Sequence, residues 1–208
     1  MAYPTVSAPY GLKPINRVDG MPYAGAIRQI PIDGDYNTAI YNGDIVRIAA
    51  GGTIEKSTVT TDSTTAAANN TYGVFVGVQY VNTQSQTVRA QYYPGNVAAT
   101  SAVAFVVDDP MAAFKVAVTN SGNATVTTVN ESIVGTNMPV RQGTGSTTTG
   151  DSAVSVYATN AQGNAAALPL RVIAVVPETA TSATAFTEVI VKFNNPQILK
   201  AAALDYTA

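Results

Sequence analysis

Hydrophobic positions along this chain recur mostly at every second residue, in runs of four to nine, between clusters of Gly, Asn, Asp, Thr and Pro. That period of two belongs to half-buried strands. Ala26-Ile27-Arg28-Gln29-Ile30-Pro31-Ile32 reads as a strand, with Pro31 placing it at an edge or a strand end. Tyr41-Asn42-Gly43-Asp44 is turn chemistry, followed by a strand Ile45-Val46-Arg47-Ile48. Gly51-Gly52 is a second turn and residues 53–59 return, so the pair reads as a hairpin. Residues 72–81 (YGVFVGVQYV) form the clearest buried strand, in which Gly73 and Gly77 mark a close backbone approach or a bulge. Further strands are expected at 87–93, 103–107, 114–118, 153–157, 168–176 and 188–193.

Residues 127–134 admit one short helix, capped by Thr127 or Thr128 with Glu131 in the capping-box position and Gly135 as the stop; a strand through Val126, Thr128 and Asn130 is the alternative. Residues 60–70 and 144–150 read as polar loop tips. About ten short strands with frequent turns predict an all-β fold, a single β-barrel-like domain over residues 26–194. The stretch 136–150 is read as a loop inside that domain.

Composition agrees. There are 26 Val, 12 Ile and 27 Thr against 5 Leu, which favours pleated surfaces over helices. The 33 Ala lie mostly among Thr, Gly and Asn, in loop contexts. With 208 residues the chain can bury a sizeable core without staples, and with no Cys it has no disulfides.

The termini differ. Residues 1–25 show no periodic element and carry Pro4, Pro9, Pro14 and Pro22 among Tyr3, Tyr10, Leu12, Ile15 and Tyr23. Proline keeps such a segment extended and lowers its ordering cost. It is read as an arm that packs either on its own barrel or on a neighbouring subunit, with Tyr3, Pro9, Tyr10, Leu12, Ile15 and Tyr23 as the partner-binding candidates. Residues 195–208 form a similar tail, with a helical turn possible at 197–204.

Chemistry is sparse. Without His or Cys no Ser-His-Asp or Cys-His nucleophile system, no His/Cys zinc site and no His or Cys haem ligation can be built. No cofactor or metal is expected. Asp33-Gly34-Asp35-Tyr36-Asn37 alternates oxygen ligands as calcium loops do, but Thr38 and Asp44 occupy the positions that need Gly and the closing acid, so a turn is expected. Asp108-Asp109-Pro110 reads as a turn rather than an acid/base pair, since neighbouring strand residues face opposite ways. Gly143-Thr144-Gly145-Ser146 lacks the Lys of a phosphate loop. Three glycosylation sequons, at Asn69, Asn123 and Asn130, are expected by chance in so Thr-rich a chain. Eleven basic against 13 acidic residues give no electrostatic case for nucleic acid. No run reaches 18 apolar residues, so no membrane span is expected, and the opening MAYPTVSAPYGLKP has no signal-peptide pattern.

The opening Ala8-Pro9-Tyr10-Gly11-Leu12-Lys13-Pro14 resembles the start of a family of structural proteins in tailed bacteriophages of marine and freshwater hosts, the cyanophage type included. Arg28-Gln29-Ile30-Pro31-Ile32, Ile40-Tyr41-Asn42-Gly43-Asp44-Ile45-Val46, Gly73-Val74-Phe75-Val76-Gly77 and Glu188-Val189-Ile190-Val191-Lys192-Phe193-Asn194 are similar too. The layout resembles the small β-barrel capsid decoration, or cement, proteins. That resemblance implies a non-enzymatic virion component, made in the host cytoplasm. It would bind the outer surface of a head built from an HK97-like major capsid protein, as a homotrimer that stabilises the shell. A phage tail or adhesin β module binding host glycans is the alternative, and it predicts exposed Tyr clusters in a groove. A carboxylate-based hydrolase predicts two carboxylates about 5–10 Å apart in one pocket.

Overall fold

A computed structural model describes residues 6–58, 71–97, 101–120, 127–158, 168–180, 185–194 and 196–199. The expected loop tip at 60–70 lies outside them, as do Tyr3 and the sequons at Asn69 and Asn123.

Thirteen strands build the described protein: β1 Lys13–Arg17, β2 Arg28–Ile32, β3 Ile45–Ile48, β4 Ile54–Lys56, β5 Gly73–Val81, β6 Thr87–Ala90, β7 Ala102–Val107, β8 Ala112–Thr119, β9 Asn137–Met138, β10 Val140–Arg141, β11 Ser155–Tyr157, β12 Leu170–Val175 and β13 Glu188–Phe193. The fold is all-β, as the alternation predicts.

The first sheet closes on itself. β3 pairs β4, β4 pairs β2, β2 pairs β7, β7 pairs β5, and β5 returns to β3. This five-stranded ring is a small barrel, with β6 attached to the far end of β5. Closure rests on one parallel contact, Ile32 opposite Ile54. Only that last residue of β2 pairs on this side among the described residues, so Pro31 withholds no ladder donor.

Strand β5 serves both neighbours through a bulge. Phe75 pairs Val106 and Gly77 pairs Phe105, leaving Val76 as the extra residue. Phe75 and Val78, three positions apart, therefore both enter the barrel core, while Val74 and Val76 pack outside it. Gly73 is the close approach: a Cβ there would sit 2.5 Å from the Val107 carbonyl oxygen.

The second sheet runs β10-β11-β8-β13-β12-β9, with β1 beside the first half of β8. It uses the same device, since Ile173 is extra between Val172 and Ala174. Two cores result. Ile30, Ile32, Val46, Phe75, Val78 and Tyr93 fill the barrel. Leu12, Phe114, Val116, Leu170, Val189 and Val191 fill the space between the second sheet and the barrel wall, which contributes Ile45, Val74 and Val107. The alternation Ile45/Val46 on β3 is thus one strand facing two cores.

Three expectations need correction. The N-terminal segment is not free of regular structure: β1 lies within it, because Gly11 and Leu12 anchor it to the core and Lys13–Arg17 then meets the open side of β8. The stretch 136–150 contains β9 and β10, two-residue strands too short to show a period. The helix expected at 127–134 is a single 3₁₀ turn, Glu131–Ile133, capped by Asn130, whose Oδ1 accepts the Ser132 N–H. Thr127 lies instead beside the start of β13, where its carbonyl accepts the Thr187 N–H, and its buried hydroxyl caps nothing. Gly135 does stop the turn, at φ +82. A further 3₁₀ turn, Gln197–Leu199, occupies the start of the tail.

Candidate interaction surface

The Ala8–Pro14 run folds against its own chain. Gly11 N–H donates to Val154 O and Leu12 N–H to Gly43 O. Gly11 and Gly43 both hold positive φ, and a Cβ on Gly11 would come within 2.8 Å of the Gly43 Cα. Two bare backbones in contact explain both glycines. Beneath them Asp44 is fully buried; it pairs with Lys56 Nζ at 2.9 Å and accepts from Tyr41 N–H and Ser152 Oγ–H. A buried charge with this many partners is compensated.

Tyr10 donates its hydroxyl proton to the Glu188 carboxylate, which also pairs with Lys115 at 3.1 Å. Burial first, then the bond and charge of Glu188, hold the Tyr10 phenol neutral far above its ordinary range. Lys13 bridges to Asp151 at 2.7 Å and Asn42 at 2.8 Å. Leu12 is completely buried, and Pro9, Ile15 and Tyr23 are half-buried. Of the candidates from the sequence, the described ones are thus wholly or partly turned toward the protein's own fold.

What protrudes is the next segment, residues 18–27, between β1 and β2. Val18, Met21 and Ile27 are exposed, Met21 at 60% and Ile27 at 48%. They are three of the six large apolar side chains exposed among the described residues. The loop is shaped from its base. Gly20 takes positive φ in a tight reversal where Met21 O accepts the Arg17 N–H and Asp19 Oδ1 accepts the Met21 N–H. Val18 N–H donates to Met111 O. Tyr23 tucks beneath the loop against the inter-sheet core.

Both ends of the loop are clamped to one acidic pair. Arg17 reaches Asp109 at 3.4 Å and Arg28 reaches Asp108 at 2.7 Å. Tyr72 adds a hydroxyl proton to Asp108 at 2.8 Å, and its pKa is pushed up to about 12 by burial, then by the bond and charge of Asp108. Asp108 and Asp109 do sit in a turn, the one joining β7 of the barrel to β8 of the second sheet. Reading them as a turn omits this second role, because no spacing links Arg17 and Arg28 to them. The exposed loop apolars were likewise hidden: one large apolar residue among Pro and Gly gives no period.

Other candidates resolve simply. Asp33 makes a local turn, accepting the Asp35 N–H. Tyr93 is buried, flanked by Tyr36 and Tyr80, and Tyr41 stacks on Tyr92 at 5.4 Å with Gly145 against its ring, so these tyrosines serve packing. An open depression of about 480 Å³ near Thr128 and Ser132 has hydroxyl, amide and apolar lining, with no carboxylate or aromatic ring among its described residues. Among the described residues no three acidic side chains gather at metal-binding spacing.

No protein-family model, no curated protein and no solved structure matches this chain.

Proposed function

We propose that this protein is a non-enzymatic structural component of a tailed-bacteriophage virion. In this reading it binds the outer surface of the major capsid protein lattice, as a homotrimer, and stabilises the head. The observation that carries the reading is the 18–27 loop. It is apolar, exposed and held at both ends by ion pairs, so it loses little entropy when it docks. The resemblance of the flanking segments to capsid decoration proteins supports the same role.

The mechanism is area burial. Covering Val18, Met21 and Ile27 contributes about 25 cal/mol per Å² of apolar surface before association costs. Repetition over a lattice multiplies a modest contact through multivalency. Because the loop has no cation of its own and the flanking Arg17 and Arg28 are already paired, binding changes little with salt.

Co-sedimentation with empty capsids tests this. The wild type is expected to bind at fixed stoichiometry. Met21→Asp with Ile27→Asp, both surface changes, is expected to weaken binding at least tenfold while leaving the fold intact by circular dichroism. Wild-type protein that stays in the supernatant would remove the proposal.

A further inference from the structure

In a chain this poor in charge, most ions are spoken for. Lys13, Arg17, Arg28, Arg47, Lys56 and Lys115 are all in ion pairs. Arg89 binds Gln79, and Arg141 lies over the Tyr157 ring. Among the described lysines and arginines, only Arg171 and Lys192 have a side chain with no ion pair, hydrogen bond or ring contact. They are also directly opposite one another, on β12 and β13. Facing residues of an antiparallel pair project to the same side, and their neighbours Val172, Val191 and Phe193 fill the core, so both cations lie on the outer face of the second sheet. Like charges facing each other across a ladder destabilise a sheet. Arg171 is exposed and Lys192 partly so.

The complement lies on the barrel. Asp33 and Asp35 are exposed, two residues apart, and neither carboxylate has a cation among the described residues. The local bond from Asp35 N–H fixes the orientation of Asp33. Residues two apart in a chain lie within about 7 Å. Facing side chains on a ladder lie about 5 Å apart at Cβ. The two unmatched pairs therefore have similar spans and opposite sign.

We infer that the Arg171–Lys192 rung receives the Asp33–Asp35 turn of a second copy of this chain. The contact joins two different patches and so sets the register between copies. Its strength is modest and screened by salt, as befits exposed charges. It supplies one specific contact to the self-association proposed above, and it is tested without capsids, so its failure leaves the capsid-binding result untouched.

Sedimentation velocity of the full chain at about 50 mM and 500 mM salt, a choice set by the Debye length, provides the test. Self-association that weakens at least severalfold in high salt is expected. Arg171→Glu with Lys192→Glu, and separately Asp33→Lys with Asp35→Lys, are each expected to lose that association. Circular dichroism confirms that each variant is folded. Combining all four substitutions in one chain makes the two patches complementary again at every contact between copies, so association should return. A wild type that is monomeric at low salt, association that survives either reversal, or reversal losses that the combined four-site variant does not recover would each overturn the contact.

Discussion

At the scale of single residues, the tyrosines show how placement sets chemistry. Tyr72 is buried and bonded to Asp108, so it remains a proton donor through the ordinary phenol range. Its folded pKa of about 12 exceeds the ordinary value of 10.0. The stability this difference contributes is full below pH 10 and is lost as pH rises through 12. Urea unfolding at a series of pH values is therefore expected to show a steeper alkaline loss for wild type than for Tyr72→Phe between pH 10 and 12. Equal slopes would disprove the assignment. Tyr10 acts in the same direction in wild type and variant alike, so the difference isolates Tyr72. Gly73 is the converse case: there the absence of a side chain lets β5 and β7 approach.

At the scale of elements, legibility followed length and burial. The span of β13 was readable to the residue because its core face alternates over Val189, Val191 and Phe193. Strand β5 was readable for the same reason, and its glycines announced both the bulge and the close approach. Strand β1 was not, because Pro14 interrupts it and its side chains are mostly half-buried. Nor was the barrel's closure, which depends on pairing Ile32 with Ile54 across intervening chain. The clamp on the 18–27 loop was beyond reach too, being made by side chains distant in sequence. Its rigidity is open to measurement. Asp108→Asn with Asp109→Asn keeps the turn's acceptors but removes both charges. Amide hydrogen exchange at Val18 is expected to quicken about tenfold or more, with the β13 amides unchanged. Unchanged exchange at Val18 would show that the ion pairs do not hold the loop.

At the scale of the whole molecule, the described residues build two cores, and the two sheets are unequal in how they draw on sequence. The barrel takes all its strands from the continuous stretch Arg28–Val107, whereas the second sheet combines β1 with β8–β13. During synthesis, at about 5–20 residues per second, every strand of the barrel is made before any of β1's partner strands exists. Lys13 pairs with Lys115, and Tyr10 bonds Glu188 across 178 residues. In ribosome-bound chains arrested just after β7 emerges, brief proteolysis is expected to spare the barrel and cut within the first 25 residues. Cleavage spread evenly over both would contradict that order. Strand β1 is thus made before the barrel yet docks only once β8 has followed it, and Tyr10 waits longer still, for Glu188.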